Sequence, residues 1–378
     1  GVGNSNGIKI DAGELEIANR SSIQTTTKQA KLVKDKGNAG NIDIKTKGNL
    51  TISGTENPTF LQERAGVALS SINSSTEGQG DAGKITIDTA GKLSVLNRGG
   101  IFSAIDATGV GNSNGIKIDA GELDIANQSS IQTPTSQAKL VKDKGNAGDI
   151  TISTNGNLTI IGTNNSSDSG VSGINSSSVG AGDAGKVTIN TQGNKLFLSN
   201  RAAIFSAIKE GVGNSKGVKI DTGDLNLTNG SAISTGNVGG LGNAGDVVIT
   251  SKGKIDIVDS IGISSFNFGL GKAGNISLTS NKLNLNKSPV LTNSFFGSGG
   301  DLKLDIKDYL LLRNNSAITT NSASQRKNGN GGNITIDSPL IVALPGNNDI
   351  SANAFQGSGG KVNITSQGLF GIKFRPKG

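Results

Sequence analysis

The 378-residue chain holds 57 glycines, about twice the usual share, and its aromatic residues are 11 Phe and a single Tyr, with no Trp. With no Cys and no His it has no disulfide, no thiolate, none of the usual zinc ligand sets and no imidazole base, which removes most hydrolase templates. The net charge of +7, from 36 basic against 29 acidic residues, is a small excess spread over a long chain, so a preference for anionic partners is permitted but not demanded.

The chain opens Gly1-Val2-Gly3-Asn4, without Met or a signal peptide, and reads as a segment from the interior of a longer precursor. No apolar run approaches the 18 residues of a membrane-spanning helix. Residues 1–44 align with 109–152 without a gap and match at 38 of 44 positions, and a third copy of the opening stands at Gly211–Gly217. One repeat domain is expected over 1–378, made of long repeats 1–108 and 109–210 and divergent coils 211–378.

A shorter period lies inside the long one. A Gly followed by two aliphatics one residue apart recurs twelve times, first at Ile8, Ile42, Ile85 and Ile116 and last at Val362, at a mean interval of about 32 residues. Each interval carries three short apolar runs, as in Ile85-Thr86-Ile87, Leu93-Ser94-Val95 and Ile101-Phe102-Ser103-Ala104. Alternation over three to five residues means strands. Three strands per interval with one inward pattern predict an all-β parallel solenoid of about twelve coils, a rod about 55 Å long at ~4.8 Å per coil. Ile85 and Ile87 are expected to stack on Ile116 and Ile118, with Thr86 and Lys117 outside. The raw ends of such a rod expose unpaired backbone and invite end-to-end self-association.

Long intervals place insertions between strands. One pair, 26–36 and 134–144, is rich in lysine: Lys28, Lys31, Lys34 and Lys36 in the first, Lys139, Lys142 and Lys144 in the second. These seven side chains, three coils apart, are the candidate contacts for an anionic polymer; the plainer reading is that they keep a repetitive β surface soluble and unpaired. The other pair spans 56–68 and 162–172.

Several patterns invite chemistry. Gly78-x-Gly80-x-x-Gly83 and Gly180-x-Gly182-x-x-Gly185 match a dinucleotide signature, but a strand rather than a helix is expected after each, so no nucleotide is assigned and the glycines are read as turns. The regular Gly-Gly-x-Gly-x-Asp series of calcium-binding repeats is absent; no metal and no cofactor are expected. After the first strand stand Asp11, Lys45, Asp88, Asp119, Ser153, Asn190, Asp221, Thr250, Thr279, Asp305, Asp337 and Thr365, which places Asp88 beside Asp119 and Asp305 beside Asp337. Such pairs approach the spacing of a retaining glycosidase, yet a ladder of short polar side chains bonding local amides is the preferred reading. Phe102, Phe205, Phe266, Phe268, Phe295, Phe296 and Phe355 sit late in the third run and are read as filling the core at one corner, with a sugar-stacking platform as the lesser alternative. Tyr309 alone makes no aromatic strip, and with few Arg no nucleic-acid partner is expected.

The Gly-Asn-Ala-Gly-Asp-Ile-Thr-Ile style at 145–152, its variant at 242–249, Ser-Phe-Phe-Gly-Ser-Gly-Gly-Asp at 294–301 and the closing stretch 359–372 resemble the filamentous haemagglutinin family of large exoproteins, in particular its cyanobacterial branch. The resemblance covers essentially the whole chain. It implies a right-handed parallel β-helix, export through an outer-membrane two-partner secretion transporter, a Gram-negative-type cell surface, and roles in adhesion, aggregation or biofilm. The family's amino-terminal Asn-Pro-Asn-Leu type signature is missing, and Asn57-Pro58-Thr59-Phe60 is no substitute. The expected function is a non-catalytic, secreted or surface-attached adhesin-like rod contacting extracellular polysaccharide or cell-surface glycan. A polysaccharide lyase or glycosidase on the same scaffold, and a purely structural matrix filament, are the alternatives.

Overall fold

The computed structural model describes residues 4–27, 37–55, 69–106, 109–136, 145–163, 172–322 and 329–373. Among them there is no helix: strands of successive coils pair in parallel, and the chain winds as a parallel β-helix of the right-handed type, the sense that parallel crossovers favour. First strands and second strands of the coils belong to one sheet; third strands form the other. Eleven coils carry all three strands, and a twelfth ends after its second, Gly368–Phe370.

All twelve sequence marks stack in one unbroken register. Ile8 lies on Ile42, Ile42 on Ile85, Ile85 on Ile116, and so on to Ile334 on Val362. Ile85 and Ile87 meet Ile116 and Ile118 as expected, all four buried, while Lys117 is exposed and Thr86 half-buried. Intervals run from 26 residues, Ile276 to Leu302, to 43, Ile42 to Ile85, so differences in length are absorbed between strands and never within a ladder. The core is a set of Ile, Leu and Val columns from all three strands. The end coils bury one side only: Ile8, Ile10, Leu15 and Ile23 are half-buried, and Leu369 and Phe370 are exposed.

The corner from each third strand into the next first strand is a recurring hexapeptide, Gly37-Asn38-Ala39-Gly40-Asn41-Ile42 in its fullest form. Its second residue clips the coil above. Asn38 Oδ1 accepts from Asp81 N (2.8 Å), Asp81 Oδ1 from Asn112 N (2.8 Å), Asn112 Oδ1 from Asn146 N (3.0 Å), and the chain of such bonds continues to Lys272 N. The fifth residue makes a second clip: Asn41 Oδ1 accepts from Lys84 N (2.9 Å), Asp149 Oδ1 from Lys186 N (2.8 Å), and Asp246 Oδ1 from Asn275 N (2.7 Å). Each clip satisfies a backbone N–H that would otherwise lie unpaired at a corner.

Behind the clips stands a column of buried third-strand hydroxyls. Ser74 Oγ donates to Gly40 O (3.0 Å) and accepts from Gly83 N (2.8 Å); Ser176 does the same between Gly148 O (3.0 Å) and Gly185 N (2.8 Å). Thr25, Ser103, Thr133, Ser206, Thr292 and Thr320 likewise donate to corner glycine carbonyls. The polar core is thereby satisfied at its own corner. Gly83 and Gly185 are packed backbone on backbone: a Cβ on either would collide with the carbonyl of Gly40 or Gly148 in the coil below. These are two glycines of the dinucleotide-like signature; close approach rather than a turn is their role, and a strand follows each, at Ile85–Leu96 and Val187–Asn190.

The corner between second and third strands uses left-handed residues, such as Asn97 (φ 53°) with Arg98 (φ 65°) and Asn127 (φ 55°) with Gln128 (φ 62°). Asn tolerates this region because its short side chain bonds locally. Here it bonds across coils: Asn127 Nδ2 donates to Asn97 Oδ1 at 2.8 Å.

Candidate functional site

The lysine-rich candidates Lys28, Lys31, Lys34, Lys36, Lys139, Lys142 and Lys144 lie outside the described residues. The strands that precede them, Ser22–Thr27 in the first coil and Thr135–Ser136 in the fourth, belong to the third-strand sheet and lie three coils apart.

The polar ladder after the first strand stacks residue for residue as expected, Asp88 on Asp119 and Asp305 on Asp337 included. Its chemistry differs from a set of local amide bonds. Asp119 is held by Lys117 (Nζ–Oδ2 2.6 Å), Asp88 approaches Lys45 (3.9 Å), and Asp221 approaches Lys219 (3.4 Å). The hydrogen bond and charge of Asp119, helped by the charge of Asp88, hold the Lys117 ammonium above the usual lysine range. Asn190 alone follows the expected pattern, accepting from Gln192 N at 2.8 Å. Asp88 and Asp119 lie on an open wall, each with a lysine beside it, rather than in a cleft. Replacing both, Asp88→Asn with Asp119→Asn, is expected to lower the unfolding free energy measured in urea by less than about 1 kcal/mol, as for other exposed ion pairs. A larger loss would show that the pairs are part of what holds the coils together.

The phenylalanines do not fill the core. Phe102, Phe205 and Phe266 are half-buried on the outer face of the third-strand sheet, and Phe268, Phe295, Phe296 and Phe355 are exposed. The reason is parity: Ile101 and Ser103 point inward, so Phe102 between them points out. Phe266 lies over Gly236 of the coil below, with which it is in register, and Phe102 lies over Gly100, so flat rings cover backbone left bare by glycine. Phe266, Phe268, Phe295 and Phe296 form a chain of ring contacts with centroid separations of 5.3, 5.3 and 6.2 Å. Val238, Leu241 and Leu270 stand beside it, each about half exposed.

A shallow open depression of about 320 Å³ lies on the adjoining first-strand side, lined by Lys186, Lys216, Lys219 and Asp246 among others. Its positive charge is partly compensated, since Lys216 approaches Asp149 (3.9 Å) and Lys219 approaches Asp221. Among the described residues no group of three or more carboxylates is placed to hold a metal ion. Sequence reasoning missed the asparagine clips and the outward phenylalanines; the fixed spacing of Asn or Asp within the hexapeptide was the available signal for the first, and strand parity for the second.

No family model, curated protein or solved structure matches the chain.

Proposed function

We propose that the chain is a non-catalytic rod segment of a secreted or surface-attached adhesin-like exoprotein, working by spacing and by multivalent contact with extracellular polysaccharide or cell-surface glycan. The observation that supports this best is the unbroken register: a surface feature that the sequence repeats is carried at a whole number of coil steps, as at the strands Ser22–Thr27 and Thr135–Ser136, three coils or about 14 Å apart. A weak contact so repeated gains effective concentration without any new chemistry. The resemblance of the corner hexapeptide to filamentous haemagglutinin repeats supports the exported, adhesive reading, including passage through an outer-membrane two-partner transporter at a Gram-negative-type, cyanobacterial cell surface.

The lyase or glycosidase alternative requires a carboxylate pair set in a cleft that holds a sugar chain. Asp88 and Asp119 have lysines beside them, and Asp305 and Asp337 are exposed. The test is incubation of the protein with acidic and neutral polysaccharides, measuring retention on the polymer and new reducing ends. Retention without cleavage is expected. New reducing ends overturn the reading in favour of an enzyme, and the absence of any retention favours a purely structural filament.

A further inference from the structure

We propose that the underside of the first coil is an interface for one more β-helical coil, of the kind formed by residues 78–106, joined ahead of Gly1 in the same polypeptide.

The face is unfinished in both its apolar and its polar parts. Ile8, Ile10, Leu15 and Ile23 are half-buried, whereas the identical residues of the fourth coil, Ile116, Ile118, Leu123 and Ile131, are at most 2% exposed. The side chains are the same, so the difference is the coil beneath. Hydrogen bonds across the lower face of the fourth coil show what the first one lacks. Asn112 N donates to Asp81 Oδ1 (2.8 Å) and Ser130 N to Gly99 O (3.1 Å), while Asn127 O accepts from Arg98 N (2.8 Å) and Ser129 Oγ from Gly99 N (3.1 Å). The first coil offers the same four groups at Asn4, Ser22, Asn19 and Ser21, and its strands pair only with the coil above. Half-covered apolar columns beside unpaired strand backbone are the two features that one further coil would remove together.

The chain itself selects the occupant. Coils with the same opening as the first begin at Gly109 and Gly211, and in both cases the coil beneath is of one kind. It opens Gly78-Gln79-Gly80-Asp81-Ala82-Gly83-Lys84 in one place and Gly180-Ala181-Gly182-Asp183-Ala184-Gly185-Lys186 in the other, alike at six of seven positions. Both turn at Asn-Arg, 97–98 and 200–201, and both third strands read Ile-Phe-Ser-Ala-Ile, 101–105 and 204–208. The seating repeats as well. Val218 lies on Val187, Leu225 on Leu196 and Ile233 on Ile204, as Ile116 does on Ile85, Leu123 on Leu93 and Ile131 on Ile101, and Asn214 N donates to Asp183 Oδ1 at 2.8 Å. Coils one to seven thus follow a unit of three, in which the first coil is an opening member and the third and sixth are closing members. A closing member is what fits below an opening one.

A second copy of the chain is a poorer complement. The end it would present is the twelfth coil, whose second strand stops at Phe370 and which has no third strand among the described residues to lie beneath Ile23. A lipid would cover the isoleucines but brings no backbone in strand register for Asn4 and Ser22.

The experiment adds a copy of residues 78–108 directly before Gly1 of the whole chain, which reproduces the junction of Thr108 with Gly109. Hydrogen exchange is followed at the Asn4 and Ser22 amides, with the unextended chain as reference. Both amides are expected to slow at least about tenfold in the extended chain. Asp81→Ala within the added copy should release Asn4 and leave Ser22 protected, because only the first amide depends on that carboxylate. Changing Ile85, Ile87, Leu93 and Val95 of the added copy to Ser should release both. An added native copy that slows neither amide overturns the inference, and so does a serine-substituted copy that protects them equally, since any preceding polypeptide would then serve. Concentration-dependent protection of the same amides in the unextended chain, with association in light scattering, assigns the face to a second copy and overturns it as well.

Discussion

Gly83→Val is expected to break the rod between its second and third coils. The valine Cβ would collide with the carbonyl of Gly40 and come within 2.7 Å of Ser74 Oγ. Neither neighbour has room to retreat, because Ser74 is bonded to both glycines and the backbone on the far side is fixed by the clip from Asn41 to Lys84. Overpacking of this kind against main chain costs about 3 kcal/mol or more. In a stack where each coil touches only its neighbours, the loss is not shared by the whole molecule. Urea unfolding followed by circular dichroism should therefore change from one transition to two, as the coils on either side come apart separately. Gly83→Ala should show the same sign with a smaller effect. A midpoint and slope identical to the parent protein would mean that backbone stacking is not what glycine does at this corner.

Asn237→Ala is expected to loosen the turn after the seventh coil's third strand. The side chain is fully buried and makes four bonds: Nδ2 donates to Gly240 O (3.1 Å) and Gly242 O (2.9 Å), while Oδ1 accepts from Gly239 N (3.2 Å) and Gly240 N (2.6 Å). Alanine leaves the buried Gly240 without its side-chain partners, while Gly239 is exposed and the Gly242 carbonyl keeps Asn267, and the loss costs about 2 kcal/mol. Asn267, in register one coil above, shares the Gly242 carbonyl at 2.8 Å. The two substitutions should therefore not add, and a double-mutant cycle should return a clear coupling energy. Hydrogen exchange at the Gly239 and Gly240 amides gives the local readout. Unchanged protection there would show that the main chain holds the turn without the asparagine.

Much of this architecture can be read from the amino-acid sequence because strand parity and coil period are both local patterns. The Gly-x-aliphatic mark at Ile8, Ile42 and Ile85 identifies the residues that later stack, since a two-residue alternation leaves one inward choice for each strand. Contacts between coils are harder to see, because their partners are separated by about thirty residues. Nothing next to Asn38 in the chain announces that its carbonyl oxygen caps Asp81 N. The phenylalanines show a different obstacle. Phe102 lies between two inward residues, so parity already sends it outward, but bulk suggests the core; parity decides, because a slip of one residue would turn the entire strand inside out. Phe268 and Phe295 stand just past the ends of Gly262–Asn267 and Pro289–Ser294, where alternation gives no guidance.

Among the described residues contact between coils runs mainly through in-register ladders and corner clips, and this bears on how such a molecule changes in length. The 102 residues from Gly109 to Glu210 hold the fourth, fifth and sixth coils. They begin with Gly109-Val110-Gly111-Asn112-Ser113, and the residues that follow them are again Gly211-Val212-Gly213-Asn214-Ser215. Removing that block would leave the same five residues at the seam and set each third-coil position against its equivalent in the seventh coil, Ile85 on Val218 in place of Ile116 and Asp81 on Asn214 in place of Asn112. Genetic recombination at these shared openings would thus keep the ladder register and exchange like residues for like. Each event would shorten or lengthen the rod by about 14 Å, so that reach can evolve in whole steps while the packing rules stay as they are.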